Sequence, residues 1–342
     1  MRKFNFLFLL FLFSALACQQ ESHKKADVFT QIEEPAPDIV PSNEPPVERY
    51  GQLSVDGNRI VGEDGKPVQL RGMSFFWSQW IGKYYTPEVV KWLKDDWRCT
   101  VVRAAMAIEH GGYLDHPEVE KQKVMKVVDA AIAEGLYVVI DWHDHKAEEH
   151  LAEAKAFFAE MAQLYGKYPN VIYETYNEPL EVSWSEVLKP YHEAVIDTIR
   201  HYDPDNLVVC GTRTWSQQIL EPADDPIDDK NVAYVMHFYA STHKQWLRDR
   251  TEKALDKGIA VMVTEYGTTE ASGDGYMNKN EMQAWWDFMD KHKISWMNWS
   301  VADKNEKSAA LKPGASPTGG WEESEISKSG KNVRAELRRK NQ

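Results

Sequence analysis

The feature that most constrains the fold is a repeated alternation of apolar, strand-like runs with amphipathic segments. Eight such runs are short and nearly continuously apolar, at 67–73, 99–106, 136–142, 171–177, 207–211, 232–238, 259–265 and 294–299. Runs of this kind are typical of a parallel sheet that is buried on both faces, and eight of them favour closure into a barrel. The sequence therefore predicts an α/β fold, a single (β/α)8 TIM barrel.

Amphipathic segments lie between most of these strands. In the segment 117–134, Val124, Val127 and Ala131 share one helical face, a spacing that predicts a helix. Further helices are predicted at 147–165, 184–201, 242–257 and 278–292. The stretch 213–231 contains two prolines and is predicted to be a loop.

A short hairpin is predicted ahead of the barrel. Residues 52–55 and 58–61 flank the pair Asp56-Gly57, which is typical of a tight β-hairpin turn. We therefore expect the folded domain, a catalytic barrel with an N-terminal β-hairpin, to span residues 50–342.

The first 17 residues have the pattern of a signal peptide. Arg2 and Lys3 precede an apolar run, and Ala15-Leu16-Ala17 fits the small-residue cleavage pattern. The apolar segment is too short for a spanning helix. These residues predict an exported protein.

Cys18 directly follows the predicted cleavage site, as in bacterial lipoprotein signals. It predicts a lipid-anchored protein of the outer membrane or cell surface, with simple secretion after Ala17 as the alternative. Residues 18–49 are polar and contain five prolines, so a disordered tether is predicted there.

The amino-acid composition limits the classes of ligand that the protein is expected to bind. The net charge is −13, with 53 acidic and 40 basic residues and no Lys/Arg-rich run in the body of the chain, which argues against nucleic acid. The 13 Trp, 15 Tyr and 12 Phe residues favour a carbohydrate ligand, since aromatic faces stack on sugar rings, although aromatic residues also fill cores. Cys99 and Cys210 each lie at the start or end of an apolar run and are predicted to be buried free thiols, with a disulfide between them in an exported chain as the alternative. We expect a monomer.

Two strand-like runs end on a carboxylate. The run from 171 leads to Asn177-Glu178-Pro179, where Pro179 stops the strand, and the run from 259 ends on Glu265. Either alone is equally well explained as a turn or a strand end. In a barrel, however, the active site lies at the carboxyl ends of the strands, and glycosidic cleavage needs two carboxylates. The pair therefore indicates a glycoside hydrolase.

Other polar residues occur at or near strand ends. Arg103 lies in an apolar run and needs anionic partners. It is interpreted as a structural salt bridge, as a residue that keeps Glu265 ionised, or as both. His237 and Tyr239 share a face of their strand, and together they are predicted to hydrogen-bond Glu265.

The motif His143-x-His145 ends the third strand and resembles the metal-ligand pair of amidohydrolases. Those enzymes need further His and Asp ligands, of which only His237 is available here. Binding of sugar or support of the site is therefore favoured for His143, and a loop role for His145. A metal-dependent hydrolase remains the alternative.

Three tryptophans need an explanation. Trp296 and Trp299 are offset by three residues, so on a strand they face opposite sides, one outside the barrel and one at the site. Trp215 follows the fifth strand in a predicted loop. Its interpretation as a sugar-stacking residue stands beside that of local packing.

Taken together, these residues resemble glycoside hydrolase family 5, in particular bacterial endo-1,4-β-glucanases (cellulases). The similarity extends from about residue 50 to about residue 335. It is carried by residues 70–74, 102–103, 140–143, 176–179, 237–240, 264–268, 298–300, 309–315 and 319–321. Asn-Glu-Pro alone is a weak signal, whereas the ordered set is specific.

The resemblance implies a retaining mechanism without a metal or organic cofactor, acting on β-glucan. Glu178 matches the general acid/base, Glu265 the nucleophile, and Asn177 the residue that holds the hydroxyl next to the reacting carbon. The other matched positions are the polar cluster around the glutamates and the sugar-binding side chains: Arg103, His143, His237 and Tyr239, then Trp299, Trp215 and Lys304.

One position departs from the family pattern. Many relatives carry a histidine where this chain has Phe76, so a hydrogen bond to sugar is lost and an aromatic face is expected in its place. The predicted function is a retaining endo-1,4-β-glucanase that hydrolyses internal bonds of cellulose or mixed-linkage glucan. The alternatives are another β-glycanase of this fold, such as a mannanase or xyloglucanase, and a non-catalytic surface protein that binds glycans.

Overall fold

The computed structural model describes residues 44–341 as strands and helices that alternate along the chain. The strands are β1 Ser54–Asp56, β2 Arg59–Val61, β3 Arg71–Phe75, β4 Val101–Ala107, β5 Tyr137–His143, β6 Val171–Glu174, β7 Leu207–Cys210, β8 Val232–Val235, β9 Phe238–Tyr239, β10 Val261–Gly267 and β11 Trp296–Val301. The α-helices are Pro46–Tyr50, Ser78–Ile81, Pro87–Asp95, Pro117–Glu134, Leu151–Tyr165, Lys189–Arg200, Arg213–Ser216, Leu220–Asp224, Gln245–Asp256, Lys279–His292 and Lys328–Lys340. Gly82–Tyr84 and Ala147–His150 are 3-10 helices, and Trp184–Leu188 is a π-helical turn.

The large sheet is a closed parallel barrel. Strands β3 to β8 pair in chain order, β8 pairs with β10, and β11 pairs with both β10 and β3. Strands β1 and β2 form a separate antiparallel hairpin. The predicted (β/α)8 barrel and N-terminal hairpin are confirmed.

Alternation along the strands separates the two sides of the barrel wall. In β4, Val102 and Ala104 pack outward against the helices, whereas Val101 joins an apolar interior layer that the hairpin residues Leu53 and Ile60 cover. Arg103 is the next inward residue after Val101. The interior therefore changes from apolar to polar towards the carboxyl ends of the strands.

The sixth barrel strand is broken. The run predicted at 232–238 forms β8, which ends at Val235, and the short β9, and both pair with β10. His237 lies in the gap, where its backbone N–H donates to the carbonyl of Ser216 at 2.9 Å. Because of this break, the side chain of His237 does not have to follow the inward–outward alternation of a regular strand.

Strand β10 carries a register shift against β11 between Val263 and Tyr266. In a regular strand, consecutive residues face opposite sides, but an irregularity re-aims side chains. Thr264 and Glu265 consequently both make contacts inside the barrel, with Glu174 and Arg103 respectively.

The predicted helices are present, but Pro46–Tyr50, Ser78–Ile81, Pro87–Asp95 and Lys328–Lys340 were missed, and one predicted loop is wrong in part. The helix Lys328–Lys340 is mostly charged, and Val333 and Leu337 are its buried apolar side chains, so its buried face carries few of the apolar residues by which a helix is predicted. The helix Pro87–Asp95 does have start signals, a Thr86 cap and Pro87 at its first position. The stretch 213–231 is not a continuous loop, since it contains the short helix Leu220–Asp224, whereas Thr214 and Trp215 have non-helical backbone angles and form a turn.

The predicted tether is wrong at its C-terminal end. Residues Pro46–Tyr50 form a helix, and the Val47 N–H donates to the carbonyl of Gly135 at 3.1 Å. Val47 and Tyr50 also pack against the apolar layer inside the barrel that includes Leu53, Ile60 and Val101. The predicted signal peptide, Cys18 and most of the tether lie outside the described residues. Within residues 44–341, no helix has both the length and the apolar character needed to cross a bilayer.

The two cysteines in this part of the chain, Cys99 and Cys210, are buried and free. That prediction is confirmed.

Candidate active site

Glu178 and Glu265 face each other at the carboxyl ends of β6 and β10. A carboxylate oxygen of each and one ring nitrogen of His237 all lie within 4.8 Å of one another. Retaining glycosidases hold their two carboxyl groups about 5–5.5 Å apart, whereas inverting ones leave about 6.5–9.5 Å for a water. The spacing here fits direct attack by one carboxylate.

Arg103 binds Glu265 from inside the barrel. Its Nη1 donates to Oε2 of Glu265 at 3.1 Å, and its Nη2 donates to Oδ1 of Asn177 at 2.7 Å. The guanidinium also makes two bonds to Glu174, at 2.8 and 3.1 Å, and lies 3.0 Å from Asp141. Both interpretations of Arg103 thus have a structural counterpart: it holds Glu265 and forms a buried salt bridge.

Burial alone would lower the pKa of Arg103, but the carboxylates of Asp141, Glu174 and Glu265 outweigh it and raise this pKa. Burial raises the pKa of Asp141 and that of Glu174, and the positive charge of Arg103 opposes both rises. One guanidinium therefore balances a crowded acidic layer. Removing a single partner from such a buried group leaves an uncompensated charge.

Sequence reasoning missed Asp141 and Glu174 as site residues. The signal was available: each is an acidic residue within an otherwise apolar strand, and the two are direct neighbours in the β5–β6 register. Acidic side chains at such positions need a buried cation, and Arg103 on β4 supplies it.

The two glutamates differ in their surroundings. Burial and the charge of Glu265 raise the pKa of Glu178 well above its usual value. Burial also raises the pKa of Glu265, but Arg103 and the Tyr239 hydroxyl, which donates to its Oε1 at 2.9 Å, oppose the rise. Of the two, Glu178 therefore holds its proton more strongly.

His237 contacts a different glutamate from the one predicted. Its Nδ1 lies 3.0 Å from Oε1 of Glu178, and its Nε2 lies 2.8 Å from the hydroxyl of Thr264. Tyr239 makes the predicted bond to Glu265. The joint prediction was wrong for His237 because the break between β8 and β9 separates it from the regular alternation that Tyr239 follows.

His143 is a buried part of the wall. Its Nδ1 lies 2.7 Å from Oδ2 of Asp141, and its ring stacks on Trp299 at 5.2 Å between centroids. His145 is more than a loop residue, since its Nδ1 lies 3.1 Å from the carbonyl oxygen of Glu178 and its side chain lines the cleft. Among residues 44–341, the group of His and carboxylate side chains that converge closely enough to hold an ion is Glu178, His237 and Glu265, and it does not include the His143-x-His145 pair of the metal-hydrolase alternative.

Trp215 projects from a strained turn beside the glutamates. Thr214, Trp215 and Ser216 all have positive φ angles, of 58°, 51° and 55°, a costly conformation for residues with side chains. Two hydrogen bonds hold this turn against the segment that follows β6. The Trp215 N–H donates to the carbonyl of Pro179 at 2.9 Å, and the Ser216 hydroxyl donates to the carbonyl of Asn177 at 2.8 Å. Trp215 keeps 45% of its surface exposed in the cleft.

Aromatic side chains line the other side of the glutamates. Trp299 packs on Phe76 at 5.1 Å, and Lys304 places its ammonium group 5.3 Å above the Phe76 ring. Phe76 is 6% exposed and Trp299 is 5% exposed, and the two packed rings both line the smaller part of the cleft. The exposed indole here belongs to Trp80, at 57%. Trp296 packs outside the barrel, as the offset of three predicted.

Two cavities meet at the glutamates. One, of about 540 Å³, is lined by Trp215 and His237, and the other, of about 210 Å³, is lined by Trp299 and Lys304. Glu178 and Glu265 line both. The site is thus a continuous cleft that crosses the two carboxylates, with room for sugar units on either side.

A closed (β/α)8 barrel with two closely spaced strand-end carboxylates in an aromatic cleft defines a glycoside hydrolase. Residues 61–305 match the cellulase family, glycosyl hydrolase family 5. The chain belongs to this family.

Curated relatives and solved structures agree with this assignment. Endoglucanase N of Pectobacterium atrosepticum is 50% identical over 297 residues, which cover 86% of this chain and 67% of that protein. Endoglucanase A of Evansella cellulosilytica is 52% identical over 279 residues, 80% of this chain and 57% of that protein. The chain therefore spans about three fifths of the length of such relatives.

Among solved structures, one from Cytophaga hutchinsonii has a TM-score of 0.86 and 57% identity, and covers 87% of this chain and 98% of that one. The catalytic domain of Thermobifida fusca endoglucanase Cel5A has a TM-score of 0.83 and 37% identity, covering 86% of this chain and all of that domain.

Proposed function

We propose that this protein is a retaining endo-1,4-β-glucanase that cleaves internal bonds of cellulose or mixed-linkage glucan. The observation that carries the proposal is the short spacing of Glu178 and Glu265 within a cleft that continues past both of them. A cleft of this shape accepts the middle of a chain, because sugar units extend from the reacting bond in both directions.

In the first step, Glu265 attacks the anomeric carbon while Glu178 donates its proton to the departing glycosidic oxygen. The bond from carbon to leaving oxygen breaks, and a bond from carbon to the Glu265 carboxylate forms. Arg103 and Tyr239 hold the two oxygens of Glu265, which keeps the nucleophile oriented and favours its anionic form.

In the second step, Glu178 is a carboxylate and takes a proton from water. The water attacks the anomeric carbon, the bond to Glu265 breaks, and the β-anomer is released. The same group serves both steps because its surroundings change between them. In the free enzyme, burial and the negative charge of Glu265 raise the pKa of Glu178 well above its usual value, so it enters the first step protonated. Once Glu265 is bonded to the sugar its charge is gone, and Glu178 can act as the base.

The remaining site residues support sugar binding in this proposal. Asn177 turns its Oδ1 to Arg103, which directs its amide NH₂ away from the guanidinium and towards the hydroxyl next to the reacting carbon. Trp299 is the platform on one side of the scissile bond. Trp215 on the other side and Lys304 beside Phe76 contact further sugar units.

The test is a substrate screen of the purified protein on carboxymethyl cellulose, barley glucan, mannan and xyloglucan. We expect reducing ends to appear on the first two, together with a rapid fall in the viscosity of carboxymethyl cellulose, because internal cuts shorten chains quickly. Activity on mannan alone or xyloglucan alone would support another glycanase of this fold. Binding without any reducing sugar would support a non-catalytic protein, and loss of activity in EDTA with recovery in zinc would support a metal hydrolase.

We also propose that the protein is exported and anchored through a lipid on Cys18, on the support of the charged, apolar and small-residue pattern of residues 1–17. Cys18→Ser should release the protein from membranes or block its processing, whereas Cys99→Ser, at a buried thiol, should leave its location unchanged. The measurement is membrane fractionation with a radiolabelled fatty acid. Wild-type protein that is wholly soluble and unlabelled would contradict the proposal.

A further inference from the structure

Three buried side chains, those of His237, Thr264 and Glu174, connect Glu178 to the interior of the barrel. Glu178 Oε1 lies 3.0 Å from His237 Nδ1, His237 Nε2 lies 2.8 Å from Thr264 Oγ1, and Thr264 Oγ1 lies 2.7 Å from Glu174 Oε1. Each contact needs one hydrogen atom. The number of hydrogens that each group carries therefore decides which atom donates and which accepts in each hydrogen bond.

At the inner end of this series of contacts, Arg103 determines which atoms donate and which accept. Its Nε and Nη2 both donate to Glu174, and a guanidinium in a protein has no acceptor and stays charged. Burial raises the pKa of Glu174, but the charged guanidinium that bonds both of its oxygens opposes this rise. In such a bidentate ion pair Glu174 is a carboxylate, and a carboxylate is an acceptor. The single hydrogen of the Thr264 hydroxyl is therefore used on Glu174, and the Thr264 oxygen is left as an acceptor towards His237.

The His237 tautomer follows from this direction. Its Nε2 must carry the hydrogen that Thr264 accepts, and in a neutral imidazole the other nitrogen then holds a lone pair. That lone pair, on Nδ1, faces Oε1 of Glu178. Two acceptors at 3.0 Å would repel each other, so the contact is a hydrogen bond only when Glu178 carries the proton.

We propose that Thr264 and Glu174 are positioning residues that fix His237 as its Nε2–H tautomer and thereby keep the catalytic proton on Glu178. The inference deepens the proposed function, on which it rests for the role of that proton. Once Glu178 has protonated the leaving oxygen, its carboxylate faces the His237 lone pair. It is then driven to take a proton from the incoming water, so one fixed tautomer assists both steps.

The surroundings disfavour the alternative of a doubly protonated His237. Burial and the positive charge of Arg103 lower the pKa of His237 well below its usual value. The charged and titratable groups around His237 and Glu178, from all strands that face them, are Arg103, Asp141, His143, His145, Glu174, Tyr239 and Glu265.

The pH dependence of kcat/KM tests the inference. The high-pH limb reports loss of the Glu178 proton from the free enzyme. In Thr264→Val, His237 loses the acceptor for its Nε2 hydrogen and can adopt the other tautomer, which donates to ionised Glu178 and lowers the Glu178 pKa. We expect the high-pH limb to move down by about one pH unit, since a hydrogen bond to the charged form favours that form.

Thr264→Ser is the matched control, because it keeps the hydroxyl, and its high-pH limb should coincide with that of the wild type. The low-pH limb, assigned to Glu265, should stay in place in both variants. A loss of packing alone would reduce the rate at every pH without moving one limb. An unmoved high-pH limb in Thr264→Val, or an equal shift in Thr264→Ser, would overturn the inference.

A second measurement is made on the wild-type protein, and a variant serves only to assign the signals. In wild-type protein labelled with 15N-histidine, the His237 signals, assigned by their loss in His237→Gln, should show a protonated Nε2 and an unprotonated Nδ1 near neutral pH. A protonated Nδ1 would overturn the inference even if Thr264→Val does not fold. Because this result does not depend on turnover, an inactive wild type would count against the proposed function and not against the tautomer.

Discussion

Glu265→Ala is expected to abolish turnover on every β-glucan, with a loss of roughly 10⁴-fold or more, because the first covalent step has no other nucleophile. The shortened side chain leaves space on the face that Glu265 occupied, between Arg103 and Tyr239. Azide should enter there and attack an activated β-cellobioside directly. The expected product is the α-glycosyl azide, identified by NMR.

Glu306→Ala provides a control for this variant. Glu306 also lines the cleft but bonds to Lys304 and Ser308, away from the pair that reacts. It should retain turnover without azide and form no glycosyl azide. Full activity of Glu265→Ala on glucan, or a β-azide from it, would contradict the assignment of Glu265 as nucleophile.

Glu178→Ala is expected to be nearly inactive on glucan, with a loss of about 10²–10⁴-fold, because a sugar leaving group needs a proton. On a dinitrophenyl β-cellobioside, whose leaving group needs none, formation of the intermediate on Glu265 should persist. Azide should then release this intermediate as the β-glycosyl azide. Comparing kcat/KM on the two substrates measures the difference.

Glu178→Gln is the isosteric companion, and it should behave like the alanine variant, since an amide supplies no acidic proton. The two rescue products have opposite stereochemistry, so they assign the two roles separately. A β-azide from Glu265→Ala together with an α-azide from Glu178→Ala would mean that the roles are reversed.

Much of the architecture was predictable because it follows from periodicity. Eight apolar runs alternate with helical segments, and Pro179 marks the strand end that carries Glu178. The carboxyl ends of parallel strands share one edge, so placing Glu178 and Glu265 together required only the positions of two strands. The role of Arg103 as a partner of Glu265 followed from the cost of burying an unpaired charge.

The features of the site that were not predicted arise where the strands depart locally from that periodicity. The break before β9 redirects His237 to Glu178, and the irregularity in β10 brings Thr264 and Glu265 to the same side of the wall. Both are properties of strand register, which a single sequence does not display. Asp141 and Glu174 were readable as buried acids, but their partners lie on other strands.

The N-terminal boundary and the last helix were missed for a different reason. Pro46–Tyr50 is short and polar, and it is held by Val47 and Tyr50 against a cluster contributed by distant segments. The helix Lys328–Lys340 is held by few buried apolar residues and by ion pairs such as Arg334 with Asp96 at 2.6 Å. For Pro46–Tyr50, tertiary contacts rather than local pattern decide the structure, whereas Lys328–Lys340 carried readable signals, a Ser327 cap and basic residues in its last turn.

The central claim is that Glu265 and Glu178 cleave β-glucan with retention. The most direct measurement is the configuration of the first product that the wild-type protein releases from a cello-oligosaccharide, followed by proton NMR before mutarotation. A retaining enzyme releases the β-anomer first, and the α-anomer then grows in slowly; this is the predicted result. Release of the α-anomer first would contradict the double displacement, and with it the role of Glu265 as a nucleophile.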